Sequence, residues 1–287
     1  MSESHINSRI SGAPKTSEFS SVIGFLNIDK PSGPTSFQVC EAAGKILNET
    51  TGHAGTLDPK VTGVLPIAVG KATKLLMFLP SDKEYVGVMH VNEEIDIKKL
   101  EKIIKSKFIG KIKQIPPKKS AVKREERERI VYEFNLLEKE GNDVLFSVRC
   151  QAGTYIRKLV HDLGKEIGGA HMLELRRTKA GMFDEKDSIT LFELADAVKN
   201  NTLKLVPIEV LENFMPRIDI NPEFLEKIYN GSPLFSDFLD KKQVEKAKKL
   251  KEGQFIAIFC ENKLVEVAKT VSQENRIAVP MRVIRRD

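Results

Sequence analysis

Along the chain the spacing of apolar positions changes several times, and each change marks an element. Val22 to Ile28 reads as a first strand, ended by Asp29-Lys30-Pro31 and the turn signal Ser32-Gly33-Pro34. Thr35 followed by Gln38 is a capping-box pattern, which predicts a helix with an apolar stripe of Phe37, Cys40, Ala43 and Leu47. Gly63 to Val69 is a short apolar run that fits a buried strand. Lys83 to Val91 fits another strand, and Asp96 to Phe108 a helix with Leu100, Ile103 and Ile104 inward. Val131 to Leu137 turns at Glu140-Gly141-Asn142-Asp143 into Val144 to Cys150, whose alternation puts Val144, Phe146, Val148 and Cys150 on one face. Gly153 then launches a helix with Ile156, Leu159, Val160, Leu163 and Ile167 along one side.

Helices interleaved with hairpins predict an α+β fold around a mixed sheet, in a first domain spanning residues 22–210. The composition shifts near Met215. Asn221-Pro222 starts a short helix (Phe224, Leu225, Ile228, Tyr229), and Gly231 closes it. Phe255 to Cys260, Leu264 to Val267, Arg276 to Val279 and Met281 to Ile284 read as four short strands with tight connections, the pattern of a small β-barrel over 215–287. Residues 1–21 are polar and serine-rich without an apolar core, so a disordered tail is expected there and not a secretory signal.

Composition narrows the function classes. No apolar run reaches the length that crosses a bilayer, so no membrane role is expected and a cytoplasmic location is. Cys40, Cys150 and Cys260 are far apart and set among apolar residues, as reduced core thiols would be. The five histidines lack ligand spacing and there is no Cys-x-x-Cys pair, so no metal site is expected. The net charge of +6 permits a nucleic-acid partner without demanding one. The cations do cluster: Lys118, Lys119, Lys123, Arg124, Arg127 and Arg129 crowd one segment, and six lysines lie within 241–252. Either cluster can also be an ordinary solvated face.

The chemistry concentrates in Gly52-His53-Ala54-Gly55-Thr56-Leu57-Asp58-Pro59. Pro59 biases Asp58 away from helical angles, and Gly52 and Gly55 let the loop turn sharply or lie close to a ligand. Such a loop presents a lone carboxylate, but an isolated Asp-Pro is more often a plain turn. Five further segments bear on the choice. They are Lys30-Pro31-Ser32-Gly33-Pro34-Thr35-Ser36, Lys83-Glu84-Tyr85, the run from Pro116 to Arg124, Ala152-Gly153-Thr154-Tyr155-Ile156-Arg157, and the run from Gly169 to Thr178. Together, in this order, the six resemble the signature of the pseudouridine synthases that include the bacterial tRNA pseudouridine-55 synthase and the dyskerin family.

The resemblance implies a pseudouridine synthase fold, a reaction that needs no cofactor, and a role for each residue. A uridine's N-glycosidic bond is broken, the base turns, and it is rejoined through carbon. Asp58 matches the catalytic aspartate, and three roles are open to it: attack on the ribose, attack on the base, or proton abstraction. Arg157 matches the arginine that pairs with it, suited to a bidentate bond that keeps the carboxylate charged in a dry pocket. Tyr85 matches the tyrosine that stacks on the flipped base, and Leu175 the apolar residue packing it from another side. Lys30 with Pro31 matches a motif that braces the loop, and His53 a histidine that contacts substrate. Lys118, Lys119, Lys123 and Arg124 would hold the RNA backbone.

The compact stretch from Tyr85 to Gln114 and the resemblance of the tail to a PUA domain, an RNA-binding module, point to the archaeal and eukaryotic branch. The lysine-rich tails of eukaryotic members do not occur, which favours the archaeal side. That branch implies a guide RNA and small H/ACA ribonucleoprotein proteins as partners and rRNA as substrate; uridine 55 of the tRNA TΨC arm is the other target. The competing reading is an RNA-binding scaffold with a decayed pocket. Asp58, Tyr85 and Arg157 are all present, which favours the enzyme.

Overall fold

The computed structural model describes residues 22–116, 123, 125–273 and 275–286, so the expected tail over 1–21 lies outside the described residues. The chain opens with β1 (Gly24–Lys30), then α1 (Ser36–Leu47), β2 (Thr51–His53) and β3 (Thr62–Val69). A 3-10 helix over Gly70–Phe78 leads to β4 (Lys83–Val91), α2 (Ile97–Lys107), β5 (Gly110–Gln114) and the hairpin of β6 (Arg127–Glu140) with β7 (Asp143–Cys150). After α3 (Ile156–Glu166) come β8 (Ala170–Ala180), β9 (Phe183–Asp184) and α4 (Leu191–Lys199). These strands form one mixed sheet in the order β1-β3-β8-β4-β7-β6-β5, with β2 on β3 and β9 on β8. Among the described residues of this sheet, only β3 and β8 pair in parallel.

Hydrophobic pattern explains where each strand sits. β4 alternates, placing Lys83, Tyr85, Met89 and Val91 against the core built with α2 and α3. β1 and β3 are covered on both faces, which is why they read as continuous apolar runs. Leu26, Ile28, Leu65 and Ile67 pack on α1 and Leu194 of α4, while Phe25, Val64 and Ala68 join the C-terminal core.

The remaining elements are β10 (Arg217–Asp219), α5 (Leu225–Tyr229), β11 (Leu234–Phe235), α6 (Lys241–Ala247), β12 (Phe255–Cys260), β13 (Lys263–Gln273) and β14 (Arg276–Val283). The expected barrel is a half-barrel sheet of five strands, ordered β10-β12-β13-β14-β11. It does not stand apart from the first sheet. Ala257, Phe259, Leu264, Val267 and Ile284 share a single core with Phe25, Leu75, Phe78 and Phe183.

Two expectations need correction, and a third point is an element not foreseen. Phe37 is 70% exposed, and the buried face of α1 is Ser36, Val39, Cys40 and Ala43. The helix is turned by Ser36, whose hydroxyl donates to the Leu57 carbonyl and accepts from the Leu57 amide. The strands expected over Arg276–Val279 and Met281–Ile284 are one, β14. Its pairing with β11 ends at Ala278, and a register shift in β13 faces Pro280, so the missing donor disturbs nothing. The third is β8, a central strand that the apolar pattern did not reveal. It lacks a clean alternation because two register shifts interrupt its pairing with β4.

Candidate active site

Asp58 lies on the loop between β2 and β3, and several anchors fix that loop. Lys30, fully buried at the end of β1, donates from Nζ to the carbonyls of Pro31 (2.8 Å), Pro59 (3.0 Å) and Val61 (2.9 Å). The Gly33 amide donates to the same Pro59 carbonyl, and Ser36 holds both backbone groups of Leu57. Lys30 therefore ties the end of β1 and Pro31 to the Asp58 loop. Burial pulls the Lys30 pKa down, and the nearby Asp58 carboxylate opposes that.

Arg157 stands in the first turn of α3 and reaches the loop, its Nη2 lying 2.8 Å from Asp58 Oδ2. The pair differs from expectation in one way. The contact is not shut away in a dry pocket: the Asp58 and Arg157 side chains are 57% and 60% exposed. The chain supplies the floor and walls of the site, and its own described residues do not roof the carboxylate.

Tyr85 lies below, buried on β4 and paired with Arg177 of β8. Burial raises the phenol's pKa, and the charge and hydrogen bond of Arg177 pull it back. Leu175 sits two residues before Arg177 and opposite Gly87, where an added Cβ would come within 3.0 Å of Leu175 Cδ1. The missing side chain at Gly87 lets Leu175 fold over the strand beside Tyr85. His53 is half-buried on β2. Burial, then the Arg177 charge, lowers its pKa, and its Nδ1 has no partner among the described residues.

Arg177 is the residue that sequence reasoning missed. It is 1% exposed and donates from Nε to the Val64 carbonyl (2.7 Å) and from Nη2 to the Gly55 carbonyl (2.9 Å). It thus ties β3 and the Asp58 loop to the tyrosine. Its neighbour Arg176 points the other way and pairs with Asp29 and Glu185. Period-two alternation requires one of two adjacent strand arginines to face inward, and that was the available signal. Gly63, at φ +101°, lets β3 touch β8 here, since a Cβ would fall 2.1 Å from the Arg177 carbonyl oxygen. Lys83 is buried next to this arginine. Desolvation and then the Arg177 charge bring its pKa down to about 8.

The structure therefore brings Lys30, Pro31, His53, Asp58, Tyr85, Arg157 and Leu175 to one place. Of the four cations expected on RNA backbone, Lys118, Lys119 and Arg124 lie outside the described residues. Lys123 is exposed and ion-paired with Glu125.

Comparison with known proteins bears on the chain as a whole. Residues 45–156 match the N-terminal domain of the TruB family of pseudouridylate synthases, and residues 157–212 match the C-terminal domain of tRNA pseudouridylate synthase B. The probable tRNA pseudouridine synthase B of Methanopyrus kandleri is 44% identical, over 82% of this chain and 72% of that protein. That of Pyrococcus furiosus is 42% identical over 88% and 77%. Among solved structures, a Cbf5-Nop10-Gar1 complex contains a chain 38% identical, superposing with a TM-score of 0.77 over 91% of this chain and 84% of that one. An H/ACA RNP bound to a substrate RNA containing 2'-deoxyuridine gives 35%, 0.76, 92% and 86%. The mixed sheet with its half-barrel sheet is the pseudouridine synthase fold of these structures. With the family matched on both sides of the Asp58–Arg157 contact, and relatives sharing over two fifths of their residues along most of its length, the chain belongs to the TruB family of pseudouridylate synthases, isomerases that act on RNA.

Proposed function

We propose that Asp58, Arg157 and Tyr85 are the catalytic residues, and that the chain isomerises uridine as the protein subunit of an RNA-guided complex. The observation that carries the reading is the 2.8 Å contact of Arg157 with a carboxylate whose loop is held by the buried Lys30. A cation beside Asp58 favours the charged carboxylate, the form needed for attack or for proton abstraction. The exposure of that pair fits a substrate which is itself the roof. A flipped nucleotide would lie on the Tyr85 ring, with Leu175 against its edge and His53 at its entry, and would exclude water from the carboxylate. The Arg177 charge lies close enough to the Tyr85 phenol to oppose the rise that burial causes in its pKa.

The neighbouring solved structures include an H/ACA RNP and complexes with Nop10 and Gar1, and their likeness over nine-tenths of this chain supports a guide RNA and small proteins as its partners. Lys118, Lys119, Lys123 and Arg124, which lie between β5 and β6 in sequence, would hold RNA backbone. Residues 215–287 would act as the RNA-binding half and 22–210 as the catalytic half, in the cytoplasm. The names of the archaeal relatives favour a second reading, direct action on tRNA.

Tritium release from 5-tritiated uridine separates the two. The guided reading expects release from an rRNA target only when guide RNA and partner proteins are added. Equal release from a tRNA transcript by the chain alone would establish the second reading in its place.

A further inference from the structure

The Asp58–Arg157 contact is exposed at both ends, and an exposed ion pair contributes too little to fix its own geometry. Its precision has to come from where the two backbones are anchored. Lys30 and Ser36 hold the aspartate side. On the arginine side, Arg157 is the second residue of α3, so its position follows from how the chain enters that helix.

Gln114 holds that entrance. It is the last residue of β5, only 3% exposed, and its amide lies against the backbone of Tyr155, the N-cap of α3. The Tyr155 amide donates to Gln114 Oε1 at 3.0 Å, and Gln114 Nε2 donates to the Tyr155 carbonyl at 3.2 Å. That carbonyl also accepts the first intrahelical bond, from the Leu159 amide at 2.9 Å. One side-chain amide thus makes a two-point bond with the peptide groups two residues before Arg157. A carboxylate at this position would lack the donor.

We infer that Gln114 is a positioning residue for the reaction: it docks the N-terminus of α3 on the sheet so that Arg157 meets Asp58. This rests on the reading of Asp58 and Arg157 as the catalytic pair. Gln114 touches neither substrate nor reacting atoms. It also directly precedes the basic segment 115–126, so the alternative is that it serves RNA affinity through that segment.

The test uses single-turnover pseudouridine formation by the full chain, with whatever RNA and partners support its activity. RNA affinity is measured alongside. Q114M keeps the side chain's length and removes both bonds; thermal unfolding of each variant identifies a temperature at which all are folded. Q114M is expected to slow the rate at saturating enzyme by about 10–100-fold with RNA affinity within about 3-fold, since a displacement of about 1 Å can cost 10². In the R157K background, whose shorter ammonium cannot make the same contact, Q114M is expected to cost no more than about 3-fold. A full-sized loss in that background would show that Gln114 acts independently of Arg157 and would overturn the inference. An unchanged rate, or weakened RNA affinity with an unchanged rate, would overturn it too. If D58N proved active, the catalytic assignment would fail first. A dead D58N with an unaffected Q114M would leave that assignment standing and remove only this inference.

Discussion

Replacing Glu266 by glutamine should make the protein more stable, and increasingly so as the pH rises. Glu266 is wholly buried on β13, opposite Ile258 and Val283, and neither carboxyl oxygen has a hydrogen-bond partner among the described residues. Desolvation raises its pKa from the ordinary 4.5 to about 8. The folded protein therefore binds this proton more tightly than the unfolded chain does. Its contribution to stability is complete below pH 4.5 and drains away as the pH rises through 8. The loss is about 1 kcal/mol at pH 5, about 3 kcal/mol at pH 7, and approaches about 5 kcal/mol above pH 8. Glutamine has the shape of the protonated acid and does not titrate. The midpoint of E266Q should gain on the wild type by about 5 °C between pH 5 and pH 7, at about 2 °C per kcal/mol for a chain of this size. Thermal unfolding followed by circular dichroism in matched buffers measures the difference. An offset that stays constant from pH 5 to pH 8 would refute the reasoning, because it would mean that Glu266 is ionised in both states or in neither.

Other consequences concern the site. K30M removes the ammonium on which three loop carbonyls converge and should cost about 3–5 kcal/mol in urea unfolding, with activity lost alongside; a change under about 1 kcal/mol would show that water replaces it. G63A forces β3 away from β8 and should cost about 4 kcal/mol or more, read by the same unfolding curves. Y85F keeps the stacking ring but strips the hydroxyl that Arg177 meets. Single-turnover rates should fall by about 10²-fold while RNA affinity, read by filter binding, stays within a few-fold.

Much of this site is legible in the amino-acid sequence, for a reason specific to it. Asp58, Tyr85, Arg157 and Leu175 sit in short segments that resemble a family's motifs, and such a resemblance nominates them without knowledge of the packing. Alternation along Lys83–Val91 likewise leads directly to β4. What stayed hidden depends on contacts between distant strands. Two adjacent arginines do not say which is buried; that is decided by the parallel pairing of Gly63 with Arg177. Phe37 fits a helical stripe as well as Val39 does, and only the hydroxyl of Ser36 on Leu57 turns the helix. Nothing beside Gln114 in sequence announces a bond to Tyr155, which lies 41 residues away. The continuous core linking the two sheets is hidden for the same reason, since Phe78 and Phe255 meet only after both sheets have folded.

Asp58 is the centre of the proposed chemistry, and one comparison tests its role most directly. Wild type and D58N would be assayed for tritium release from 5-tritiated uridine under single-turnover conditions, with RNA affinity and thermal unfolding measured on the same preparations. Because the Asp58 side chain is 57% exposed and its ion pair is with the similarly exposed Arg157, D58N should fold and bind RNA like the wild type while forming no product. Product formation by D58N at a rate near that of the wild type would contradict the assignment, and with it the roles of Arg157, Tyr85 and the buried lysine beneath the loop.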